Sequence, residues 1–116
     1  MPTSLPDFLQ HILDECNYIT AVSKGKSLEE LLEDETMKRA LTRSIEIIGE
    51  AVKKLDDEFK AKQPHIEWKK IARSRDRIIH HYFGIDYDII WQIITEKIPP
   101  LKDYIGEIIT ELRNRK

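Results

Sequence analysis

The sequence predicts an all-α fold, an up-and-down bundle of four or five main helices forming one domain over residues 1–116. Three observations carry that expectation. Apolar residues recur at three-and-four spacing along nearly the whole chain, and strict alternation is absent. Only 4 Gly and 5 Pro leave few turns, whereas an all-β chain needs many. Hydrophobic residues make up 41% and charged residues 34%, too apolar for a disordered chain and too charged for a membrane-embedded one.

The elements follow in order. Leu5, Phe8, Leu9, Ile12, Cys16 and Ile19 lie on one face of a first helix, with Asp7 near its start, and Gly25 ends it. Ser27 with Glu30 three residues on is a capping-box signature for a short second helix. A long helix is expected from Glu35 to Phe59, about 37 Å at 1.5 Å per residue, striped by Met37, Leu41, Ile45, Ile48, Val52, Leu55 and Phe59. Gly49 within it costs about 1 kcal/mol against alanine. Pro64 makes residues 61–66 a turn. A further helix is expected from Glu67 to Phe83, with Gly84 as its C-cap. Asp86 or Asp88 caps the next, which holds Ile89, Ile90, Trp91, Ile93 and Ile94. Pro99-Pro100 interrupts or kinks it before a last helix with Leu101, Tyr104, Ile105, Ile108 and Leu112, and the tail 113–116 is expected to fray.

Charge is nearly balanced, 19 Lys+Arg against 21 Asp+Glu, which argues against a chain that coats nucleic acid non-specifically. It is locally uneven: Leu28–Glu35 carries five acids and no base, while Lys69–Arg77 carries five bases against Asp76. Cys16, alone in its type and set among apolar neighbours, reads as a core residue and excludes an intramolecular disulfide. No apolar run is long enough to span a bilayer, and the start lacks the marks of a signal peptide, so a cytoplasmic location is expected.

Phosphate-cradling glycine loops, His-Glu-x-x-His pairs and Gly-x-Ser-x-Gly elbows are absent from the sequence. The polar residues that stand out lie between Arg73 and Gly84: Arg75, Asp76, Arg77, His80, His81 and Tyr82. Histidine exchanges protons near neutral pH and can serve a ribose hydroxyl or a leaving oxygen. Arginine offers a donor fork matched to phosphate oxygens and to the charge of a pentacoordinate state. On an ideal helix Arg75 and His80 are about 140° apart, while Arg77 and His81, four apart, share a face. A solvated basic face, with Asp76 paired to Arg73 or Lys69, explains the same residues without a site. Adjacent histidines diverge on a helix, so no metal site and no cofactor are expected. His11 and His65 suit surface or cap positions, and Trp68 and Trp91 suit the core.

The stretch RDRIIHHY, together with SIEIIGEAVKKL, the turn Pro64–Trp68 and HHYFGIDYDIIW, resembles the HepT-like branch of the HEPN superfamily, ribonuclease toxins of the HepT/MntA toxin–antitoxin systems (type VII). The likeness runs from about Leu5 to Ile109. It implies a metal-independent endoribonuclease that cleaves RNA by 2′-hydroxyl attack, with Arg75 and His80 in the catalytic positions. Asp76 takes a polar position, with Arg77 and His81 in support. Tyr82 takes the place of the tyrosine to which a partner MntA-like nucleotidyltransferase attaches AMP, silencing the toxin. The resemblance also implies a homodimer whose two motifs face a shared cleft. His81 departs from the small residue common there. The alternative is a non-catalytic HEPN module that serves a nucleotidyltransferase as its regulatory subunit.

Overall fold

A computed structural model describes residues 4–80 and 84–114, with the backbone alone at Arg75, Ile79 and His80. Helix α1 spans Leu5–Ser23; Ser4 caps it by accepting the Asp7 N–H at 3.3 Å, and Leu9, Ile12, Cys16 and Ile19 are its buried face. Burial pushes the Cys16 thiol up to about 12, so it stays protonated as a core side chain. Gly25 turns the chain at φ 71°. The expected capping box forms at α2 (Leu28–Glu33): Ser27 Oγ accepts the Glu30 N–H, and Glu30 Oε1 accepts the Ser27 N–H, each at 3.2 Å.

Asp34 caps α3 (Glu35–Lys53), accepting the Met37 N–H at 2.9 Å. Thus two of the five acids in Leu28–Glu35 serve helix starts, and Glu35 pairs with Lys38 and Arg39. Helix α1 packs on α3 and on the last helix, α8 (Ile98–Asn114), burying Leu41, Ile45, Ile48 and Val52 with Leu101, Ile105 and Ile108. Ser44, buried on α3, donates its hydroxyl proton to Glu15 Oε1 of α1 and fixes their register.

Helix α3 stops at Lys53, short of the Phe59 expected from its stripe. The N–H groups of Lys54 and Leu55 bond back to the carbonyls of Ala51 and Val52, closing a tight turn, and Asp56 is extended. Leu55 stays buried this way, and Phe59 arrives on a separate one-turn helix, α4 (Asp57–Ala61), with its ring 6.0 Å from that of Trp68. A straight continuation preserves the stripe but not the bend that lets Phe59 meet Trp68.

The helix expected over residues 67–83 is also divided. It comprises α5 (Trp68–Ala72), α6 (Ser74–Ile78) and a two-residue strand β1 (Ile79–His80), which pairs antiparallel with β2 (Gly84–Ile85). The break between α5 and α6 falls at Arg73, at φ −90° and ψ 0°, and Ser74 just after it donates its hydroxyl to the Lys70 carbonyl at 3.2 Å. The Asp86 N–H donates to the Ile78 carbonyl at 2.7 Å, using a group that a continuing helix would bond internally. Gly84 has a left-handed φ of 85°, but in the hairpin and not at a helix C-cap.

Asp86 caps α7 (Tyr87–Gln92), accepting the Ile89 N–H at 3.2 Å, which decides between it and exposed Asp88. The rod then continues through a π-helical turn, Ile93–Lys97, into α8 (Ile98–Asn114). The proline pair sets this turn: Pro99 and Pro100 lack N–H groups and crowd the carbonyls one turn back, and the Ile98 N–H bonds instead to the Ile93 carbonyl five residues earlier. Helix α8 stays helical two residues into the tail, where Arg113 Nη2 donates to Gln10 Oε1 of α1 at 3.2 Å. Among the described residues the fold is all-α apart from the two-residue bridge. Its long members are α1, α3 and the α7–α8 rod.

Gly49 has a packing reason. A Cβ there would sit 3.4 Å from the Ala72 carbonyl oxygen and 3.5 Å from that of Ile71, where α5 crosses α3. Gly49→Ala fits at ordinary contact and is expected to hold or raise the melting temperature, since alanine gains about 1 kcal/mol of helix propensity. Gly49→Leu must push α5 away and is expected to cost about 1–3 kcal/mol in chemical denaturation.

Candidate active site

The short helices place the basic segment on the outside of the bundle. Ile78 at the end of α6 is fully buried and anchors it, while Asp76 and Arg77, one and two residues earlier, are exposed. Arg75 lies on α6; His80 lies on β1, its Cα facing that of Gly84 across the bridge. The helical angle between Arg75 and His80 therefore does not apply: a change from helix to strand separates them. Their side chains, and all of His81 and Tyr82, lie outside what the structure describes. Asp76 forms no ion pair with Arg73 or Lys69 among the described residues. Lys70 instead pairs with Glu67 at 2.8 Å, and Glu67 also meets Lys97 at 3.9 Å. The two lysines hold the Glu67 carboxyl below its ordinary range, Lys70 foremost through its hydrogen bond.

Arg77 and Ser74 open onto a groove of about 550 Å³ between α5–α6 and the π-turn with α8. Lys70, Glu67, Lys97 and Glu96 line its polar side; Ile71, Ile93 and Leu101 form its floor. At the far end exposed His65 packs edge-to-face on Tyr104, ring centroids 4.7 Å apart. His65 is thus a surface residue with an aromatic partner; His11 is exposed on α1, Trp68 is buried, and Trp91 is half-buried against the core.

Sequence spacing selects Arg77 but misses Lys70, Lys97 and Tyr104 as its neighbours. Lys70 lies on α5, while Lys97 and Tyr104, seven residues apart, lie along one side of the rod; only the packing of that rod against α5–α6 brings them to the same groove as Arg77. The π-turn, which brings Ile93, Glu96 and Lys97 to the groove, was signalled only by the proline pair that follows it.

Among the described residues no helix is long and apolar enough to cross a membrane, and no cluster of three or more His, Cys, Asp or Glu is placed to hold a metal. The all-α bundle thus carries an arginine-rich turn next to a histidine-bearing strand, on a chain whose formal net charge is −2. Comparison with known proteins gives the class: residues 12–108 match the model of the family described as Ribonuclease HepT-like, and the chain belongs to that family. It is 47% identical over 109 residues to "Putative RNase TTE0752" of Caldanaerobacter subterraneus subsp. tengcongensis, covering 94% of this chain and 96% of that one. It is 44% identical over 105 residues to "Putative RNase MJ0127" of Methanocaldococcus jannaschii, covering 90% and 87%. It is 38% identical over 102 residues to "Probable ribonuclease HepT" of Thermococcus cleftensis, covering 88% and 93%. No solved structure gives a significant match.

Proposed function

We propose that the protein is a metal-independent endoribonuclease acting as the toxin of a type VII toxin–antitoxin pair. The observation that carries this reading is the family match across residues 12–108, which encloses the Arg75-x4-His80-x-Tyr82 pattern. Arg75 on α6, where the next two residues Asp76 and Arg77 are exposed, and His80 on the strand that follows support this reading. In this mechanism the 2′-hydroxyl of RNA attacks the adjacent phosphorus, and the 5′-oxygen of the next nucleotide leaves. His80 moves the proton, and Arg75 holds the charge that builds on the phosphoryl oxygens. Asp76, Arg77 and His81 shape and charge the surroundings. The toxin works in the cytoplasm, and a cognate MntA-like nucleotidyltransferase silences it by attaching AMP to Tyr82.

The active unit is a homodimer with the motifs of both copies facing one cleft. Purified protein is expected to cut single-stranded RNA into products ending in 2′,3′-cyclic phosphate, equally well with and without EDTA, and to elute with twice the 13.7 kDa chain mass. An absolute need for a divalent ion overturns the mechanism. Full activity at the mass of one chain overturns the shared cleft.

A further inference from the structure

The Arg77 groove does not end at the candidate catalytic turn. It shares Ile66, Glu67 and Lys70 with a second depression of about 620 Å³ on the other side of α5, against α4. Together the two carry Lys53, Lys60, Lys69, Lys70, Arg77 and Lys97 against Asp57, Glu67 and Glu96, an excess of cations on a chain whose formal net charge is −2. Such a band is the electrostatic footprint of a polyanion path.

Three features give it the form of a strand-binding track. Glu67 reaches Lys70 with one carboxylate oxygen and Lys97 with the other, so it holds two ammonium groups from different elements at the groove. The π-turn supplies Lys97 and Glu96 to the groove wall, an irregularity of the kind frequently found at functional sites. His65 and Tyr104 stand edge-to-face, so the ring that presents its edge leaves its own faces uncovered by its partner, a surface on which a nucleobase can stack.

We infer that this double groove is an RNA-binding exosite, taking the single strand that flanks the scissile bond. Lys70, Lys97 and Arg77 contact successive phosphates, and the His65–Tyr104 pair stacks a base beyond them. The inference rests on the ribonuclease reading for its ligand, single-stranded RNA, and adds where the strand runs beyond the motif. It makes the enzyme favour longer substrates, because the track acts on nucleotides away from the bond that breaks.

The test is binding, separated from catalysis by a 2′-O-methyl oligoribonucleotide of about ten residues, which cannot be cut. Fluorescence anisotropy on the wild-type protein is expected to show salt-dependent binding. Lys70→Gln with Lys97→Gln, which removes both charges without setting like charges against Glu67 and Glu96, is expected to weaken binding about tenfold and to lower the log–log salt slope by about 1.4, two phosphate contacts' worth. Tyr104→Leu is expected to weaken it by a similar factor with the salt slope unchanged, because stacking releases no counterions. Lys24→Glu, at the end of α1, is the control and is expected to bind as the wild type does. Melting temperatures show that each variant is folded.

Wild-type affinity and salt slope in the folded lysine variant overturn the exosite, even if the protein cuts RNA. A lysine variant that binds RNA normally but changes its mass in solution also overturns it, and assigns the groove to contact between copies of the chain. Lysine-dependent binding in a protein that never cuts RNA leaves the exosite standing and removes the nuclease reading instead.

Discussion

Replacing His80 by alanine is expected to lower RNA cleavage by about 10²–10⁴-fold, the usual contribution of a positioned general acid or base. Helicity and melting temperature are expected to stay near wild type. Residue 80 sits on a two-residue bridge at the edge of the bundle, and the core of this segment is supplied by Ile78, which the substitution leaves in place. The measurement is initial cleavage rate on a defined RNA, alongside a thermal melt. A folded His80→Ala protein that cuts RNA at the wild-type rate rules out the assignment. Arg75→Lys is expected to be nearly as impaired, since an ammonium is a point charge and cannot supply the two parallel hydrogen bonds of a guanidinium to a phosphate. If lysine restored most of the activity at residue 75, charge alone would suffice and the fork would have no role.

The second large effect concerns Tyr82. On the proposed reading, an AMP on its hydroxyl brings negative charge and a nucleoside's bulk two residues along the chain from His80, close to where the RNA phosphate would meet Arg75. Modification is therefore expected to block cleavage by occupying the position and the positive charge that the substrate needs. After co-expression with the cognate nucleotidyltransferase, intact-mass measurement is expected to show gains of about 329 Da per AMP attached. Tyr82→Phe is expected to fold, to gain no such mass and to remain toxic in the presence of the partner. Protection of cells by a partner that leaves the wild-type mass unchanged, or equal modification of Tyr82→Phe, removes this role from Tyr82.

By itself the sequence determined the fold class, because helical class depends on local periods. Leu9, Ile12, Cys16 and Ile19 fall on one face at any position in space, and all four are buried in α1. The capping box at Ser27 and Glu30 is equally local, its partners three residues apart. The Arg75-to-Tyr82 motif and the family it marks could also be read without coordinates, since the match across residues 12–108 depends on residue identities. The interruptions could not be read this way. The stripe from Met37 to Phe59 runs unbroken, but Leu55 lies in a turn and Phe59 follows it on α4, where its ring meets that of Trp68, nine residues further along the chain. The stretch from Glu67 to Phe83 likewise has helical spacing, but Ile78 spends its carbonyl on Asp86, a bond between residues that only the folded chain brings together. The placement of Lys70, Lys97 and Tyr104 around Arg77 belongs to the tertiary structure for the same reason. Local hydrogen bonding and amphipathic period fix which segments are helical; where helices end and which side chains share a groove depend on contacts between residues far apart in the chain.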